Sequence, residues 1–153
     1  MALSAEELRI GNLCHYHVVD KLYDPPEYDI VNTIDYDDIR ILYKYEDGGF
    51  KPIPLTEEWL LKFGFEGKIS EVSNCGNFYL RYNAEYGRHG MAIWHQKGAW
   101  CFSHTNQFTM LRYVHQLQNL YFALTGEELQ IKSEVTTHDI REIDRAEEER
   151  RGR

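Results

Sequence analysis

The chain has 153 residues, 42% apolar and 14% aromatic, with a formal net charge of −8. That length suffices for one hydrophobic core, and no apolar run approaches the roughly 20 residues a bilayer-spanning helix needs. Residues 1–60 carry 13 acids and 5 bases, whereas positions 75–112 hold a single acid, Glu85, beside Arg81, Arg88, Lys97 and Arg112. An acidic balance of this kind argues against sequence-independent binding of duplex nucleic acid, which requires many phosphate-neutralising bases.

The N-terminus, MALSAEEL, has neither a basic region nor an apolar stretch of the secretory kind, so the expectation is a cytoplasmic protein. Cys14, Cys75 and Cys101 show no metal-ligand spacing and read as reduced thiols. Leu8 to Val19 reads as a strand with a break at Gly11-Asn12, followed by the loop Asp24-Pro25-Pro26. A second strand is expected near Tyr28 to Ile34, then an acidic turn Asp35-Tyr36-Asp37-Asp38. A short third strand is expected at Ile39 to Tyr43, stopped by Glu46-Asp47-Gly48-Gly49. Three such strands suggest a small curled sheet or partial barrel.

Thr56 is a good N-cap for a helix over Glu57 to Phe63, with Glu57 and Glu58 in the dipole-favoured first turn. Leu55 and Leu60 occupy staple positions and Gly64 the left-handed position after the helix, so Trp59, Leu60 and Phe63 should face the core. From Lys68 to Leu111 the pattern alternates with period two. It predicts an antiparallel meander with a tight turn at Gln96-Lys97-Gly98 and Glu85 to Gly90 as another. Phe78, Leu80 and Tyr82 should share one face, with Tyr79 and Arg81 on the other. A longer helix is expected over Tyr113 to Thr125, its stripe formed by Val114, Leu117, Tyr121 and Leu124 and its end at Gly126. Leu129 to Ile131 reads as an edge strand, and residues 132–153 as a charged helical or frayed tail capped at Thr137. The fold class is therefore α+β and rich in antiparallel strands: one domain over residues 1–131, with one short and one longer packed helix.

The segments PIPLTEEWLLKFGF (52–65) and YVHQLQNLYFALTGEEL (113–129) resemble shared blocks of small uncharacterised proteins found in Bacteroidota genomes, their phages and mobile elements. ELRIGN (7–12) and VNTIDYDDIRIL (31–42) resemble the N-terminal block of the same family. The resemblance implies a phage or prophage accessory protein and transfers no catalytic residue. Its matching blocks are largely helices and their caps.

No GxSxG, HExxH, GxxxxGK[ST] or GxGxxG pattern occurs, so the chain reads as non-enzymatic and without a cofactor. Arg88-His89-Gly90 matches a phosphohistidine motif but falls in a hairpin turn. His15 and His17, two apart on one strand face, are a legitimate pair of metal ligands. A metal enzyme would still need His95, His104 or Asp35 from elsewhere. His115 reads as a hydrogen-bonded helix histidine.

Two constellations carry the functional expectation. The acidic, Tyr-rich stretch Asp20 to Asp47 offers Asp24, Tyr28, Asp35, Tyr36, Asp37, Asp38, Tyr43 and Tyr45 for docking on a host protein, conceived as a defence component. The alternative is capture of a small anionic nucleotide by the aromatic, basic centre, through Arg81, Tyr82, Arg88, His89, Trp94, Trp100 and His104.

Overall fold

The computed structural model describes residues 3, 6–19, 27–44, 49–81, 90–104 and 107–132, and at 19, 27–29 and 104 the backbone alone. These residues form a small α+β fold of two open antiparallel sheets and three helices. Strand β1 (Leu13–Val19) is central in a three-stranded sheet, flanked by β2 (Glu27–Thr33) and the two-residue β3 (Phe50–Lys51). The five-stranded sheet is a meander in chain order: β4 (Glu66–Ile69), β5 (Cys75–Arg81), β6 (Gly90–Gln96), β7 (Ala99–His104) and β8 (Gln107–Leu111).

The region expected to form the acidic turn and third strand is instead helix α1 (Tyr36–Lys44). Asp35 and Asp38 explain the difference. The Asp35 carboxylate accepts from the Asp38 N–H at 2.9 Å, and the Asp38 carboxylate accepts from the Asp35 N–H at 3.0 Å. This is a reciprocal cap built from two aspartates, and it satisfies donors that a helix start leaves open. Leu42 is the buried anchor of α1, with Ile39 packed beside it. The third strand of the small sheet is consequently Phe50–Lys51, paired with Tyr16 and His15.

Helix α2 (Glu57–Lys62) matches its sequence signals closely. The Thr56 hydroxyl accepts from the Trp59 N–H at 3.4 Å. At the other end Gly64, at φ +84°, lets its own N–H reach the Leu61 carbonyl and the Phe65 N–H reach Leu60, both at 2.9 Å. That is a Schellman ending. Leu60 and Phe63 are buried and Trp59 packs at the margin of the core.

In the meander, alternation places Phe78, Leu80, Met91, Ile93, Trp100, Phe102 and Leu111 on one face, against α2 and helix α3 (Val114–Thr125). Gln96 pairs with Ala99 across the two-residue turn Lys97-Gly98, whose φ values of 50° and 86° are the mirror-image geometry that suits strand twist. In α3, Val114, Leu117 and Tyr121 are buried as expected, but Leu124 is exposed, and Gln118 and His115 take its place in the interior. Leu129 is buried without forming the expected edge strand; the segment ends with the Lys132 N–H donating to the Lys62 carbonyl at 3.0 Å. Tyr82, the turn at 85–89 and the tail from 133 onward lie outside the described residues.

Gln118 joins the two sheets. Its side-chain oxygen accepts from the Leu13 N–H at 2.8 Å and its nitrogen donates to the Gly11 carbonyl at 3.3 Å. A buried amide on α3 thus acts as a stub of partner strand where β1 begins.

Candidate functional site

The acidic, Tyr-rich constellation is reorganised by α1. Tyr36, Arg40 and Tyr43 fall at helical spacings of four and three, so they share one stripe, and the two tyrosines are 69% and 72% exposed. Asp35 and Asp37 sit at the N-terminal end of the helix and Arg40 and Lys44 toward its C-terminal end, the arrangement the helix dipole favours. Acids therefore gather at the start of the helix and bases follow toward its end. Asp38 is occupied structurally: besides the Asp35 N–H, it accepts from the Asn32 side-chain amide at 3.1 Å. Its carboxylate also adds to burial in raising the Cys14 thiol to about 12, burial being the larger cause. Tyr28 lies on β2 with only its backbone described, and Asp24 and Tyr45 fall outside the described residues.

The second constellation is divided by the pleat. Asn77, Tyr79 and Arg81 of β5, Trp94 of β6, Cys101 of β7, and Phe108 and Met110 of β8 point away from the core. Trp94 and Phe108 have ring centroids 6.5 Å apart, and Phe108 is 68% exposed. Beside Trp94 is a recess of about 340 Å³ that Asn77 and Gln96 also line. Trp100 is 7% exposed on the opposite face, edge-on to Phe78 at 5.5 Å and 4.5 Å from the His95 ring. Trp94 and Trp100 therefore cannot close on one ligand. Arg81 remains on the Trp94 face; His104 ends β7 with only its backbone described; Tyr82, Arg88 and His89 lie outside the described residues.

His15 and His17 share a face of β1, and His15 is paired with Val31 on one side and Lys51 on the other. His95 is buried against Trp100 in the interior of the larger sheet. Among the described residues no three His, Cys, Asp or Glu side chains converge as a metal site would require.

His115 is the residue the sequence reading underrates. It is 1% exposed, and neither ring nitrogen has a hydrogen-bond partner. The ring lies parallel to Tyr113, centroids 5.7 Å apart. Burial lowers its pKa, a trend the Glu7 charge opposes. An unsatisfied buried polar group costs about 1–3 kcal/mol, so a native orphan of this kind marks either strain or a site. His115 borders a cavity of about 350 Å³ between α3, β8 and the N-terminal segment, which Glu6, Glu7, Gln116 and Asn119 also line. One signal was visible in sequence: His115 and Gln118 are three apart and border the apolar stripe, which broadens it into the interior.

Compared with models of known protein families, with curated proteins and with solved structures, the chain matches none. Among the described residues no helix is long and apolar enough to cross a membrane.

Proposed function

We propose that the protein is a non-enzymatic binding protein that occupies a protein partner through the exposed stripe of α1. The observation that carries this reading is the pair Tyr36 and Tyr43, each about 70% exposed, with Arg40 between them on a helix anchored from beneath by Leu42. Tyr and Arg are the side chains that concentrate binding energy at interfaces, because a rigid ring or a planar guanidinium gains much on desolvation and loses little entropy. The helix presents them on a capped, regular support. Asp35 and Asp37 at its N-terminal end, in a stretch of nine acids from Asp20 to Asp47, would steer approach to a basic partner. The block resemblance to proteins of phages and mobile elements supports a host protein, a defence component among them, as that partner.

The test is affinity capture from the host with tagged protein, followed by the double variant Tyr36→Ala/Tyr43→Ala. Loss of the captured partner, with an unchanged melting temperature, is the expected result. Retention of the partner by the double variant would remove α1 from the interface.

A second reading has its own observation: Trp94 and Phe108 form an exposed aromatic pair on the face that carries Arg81. Stacked bases and a cation-held phosphate would fit such a platform. It predicts that nucleotides raise the melting temperature and that Trp94→Ala or Arg81→Ala cancels the rise.

A further inference from the structure

The outer face of the five-stranded sheet carries a continuous group of exposed apolar side chains. Tyr79 of β5, Trp94 of β6, and Phe108 and Met110 of β8 are 38–68% exposed. Single exposed apolar residues are ordinary, whereas a contiguous group marks a contact surface. The ladders set these side chains in two adjacent rows. One row runs Lys68, Asn77, Trp94, Cys101 and Met110; the next runs Glu66, Tyr79, Ala92, Ser103 and Phe108. Within the rows, charge occurs only at Glu66 and Lys68 on the edge strand β4. An uncharged, aromatic middle with charge at the rim is the layout of a protein interface.

The two rows are complementary to each other. A two-fold axis in the plane of the face, running between the rows and across the strands, sets each row upon the other row of a second copy. Lys68 then lies over Glu66 of that copy, Trp94 over its Ala92 and Met110 over its Phe108. These contacts pair opposite charges, a large side chain with a small one, and a thioether with a ring. Asn77 over Tyr79 and Cys101 over Ser103 match polar groups. One register satisfies every pair, and each pair occurs once on either side of the axis, as an isologous contact requires.

Shape, size and charge agree with that occupant. Sheets of equal twist stack in the aligned packing of β-sandwiches, their faces about 10 Å apart. Five strands about 4.8 Å apart give a face roughly 20 Å wide, whose corrugated surface approaches the standard contribution of about 800 Å² per partner. The acids of the chain gather in residues 1–60, 13 against 5 bases, so two copies of this acidic protein repel each other least through the meander.

We infer that this face is an interface with a second copy of the chain, the two five-stranded sheets stacking as layers about that axis. It uses no residue of α1 and is independent of the partner site proposed there. It competes with nucleotide stacking on Trp94 for the same surface.

Sedimentation equilibrium of the full chain over about 1–100 μM reads the association directly. A monomer–dimer equilibrium is expected. Lys68→Glu, a change at an exposed position, sets carboxylate over carboxylate in both symmetry-related contacts and should weaken the dimer about tenfold. Combining Glu66→Lys with Lys68→Glu exchanges the charges and should restore association, a rescue specific to this register. Trp94→Glu should give a monomer with an unchanged circular dichroism spectrum. A chain monomeric at every concentration, an undiminished Lys68→Glu dimer, no recovery in the double variant, or a dimer that survives Trp94→Glu would overturn the assignment.

Discussion

The two sheets are held by cores of different kinds. Among the described residues, 16 side chains from the five-stranded sheet, α2, α3 and their connections join Leu13 at the start of β1 in one apolar cluster, whereas six close the cluster between the small sheet, α1 and the N-terminal segment. The larger core is specified redundantly: strand alternation, helix caps and a two-residue turn all agree. The smaller one relies on Phe50, Cys14, Ile34, Leu42, Leu8 and Leu3, gathered from four separate stretches of chain. Since hydrophobic stabilisation scales with area removed from water, the smaller region should open first. That is where α1 and its exposed tyrosines reside, and binding elements are commonly drawn from the less stable part of a fold.

The comparison is tested most severely by truncating one aromatic in each core. Phe78→Ala, at a fully buried site in the larger cluster, should cost about 3–5 kcal/mol and weaken the whole molecule, seen as a shifted denaturant midpoint. Phe50→Ala should instead accelerate amide exchange across β1, β2 and α1 while β5 and β6 stay protected. Equal loss of protection everywhere would show that the two cores unfold as one.

Gln118→Leu addresses the connection between them. It keeps the volume but strips the Leu13 N–H and the Gly11 carbonyl of their partner, so a loss of about 1–3 kcal/mol is expected in denaturant melts. Its signature is loosening at the start of β1 and not in the meander.

The pH dependence of stability isolates His115. Its folded pKa is lowered while the unfolded chain titrates near 6.5, so the unfolded state binds the extra proton first. The contribution is complete above about pH 6.5 and is lost as pH falls through the folded value. Melting temperatures measured from neutral to mildly acid pH should fall, and His115→Phe should flatten that part of the curve.

Smaller effects report on the smaller core alone. Asp35→Ala removes one half of the reciprocal cap and should cost about 1 kcal/mol. Cys14 gives the gentlest probe, because burial holds its thiol protonated at neutral pH while Cys75 and Cys101 are only half-buried. A thiol reagent should modify two cysteines rapidly in the native protein and the third at the opening rate of the small core. Asp35→Ala should raise that third rate.

Much of the architecture was legible. The Thr56 cap, the glutamates after it and Gly64 mark α2 almost to the residue, and the alternation from Phe78 to Leu111 separates Trp94 from Trp100. The failures are equally instructive. Ile39 to Tyr43 is short and rich in residues that suit strands, so the turn residues before it outweighed the Asp35–Asp38 cap that starts α1. At the candidate sites, the shared stripe of Tyr36 and Tyr43 followed from the helix and not from the turn and strand the sequence suggested. His115 read as an ordinary helix histidine because nothing in its own segment shows that its ring nitrogens go unmet.

The sequence by itself determined the elements whose signals act within about one turn or one pleat: caps, the glycine after a helix, the mirror-image turn and the two faces of each strand. Those depend on covalent geometry and on neighbours a few residues away. Tertiary structure alone decided that Gln118 would complete β1 more than 100 residues earlier in the chain, and that Glu6, Met110 and His115 would enclose one cavity. Such contacts arise from how packed surfaces meet, and burial rather than residue type then sets their chemistry.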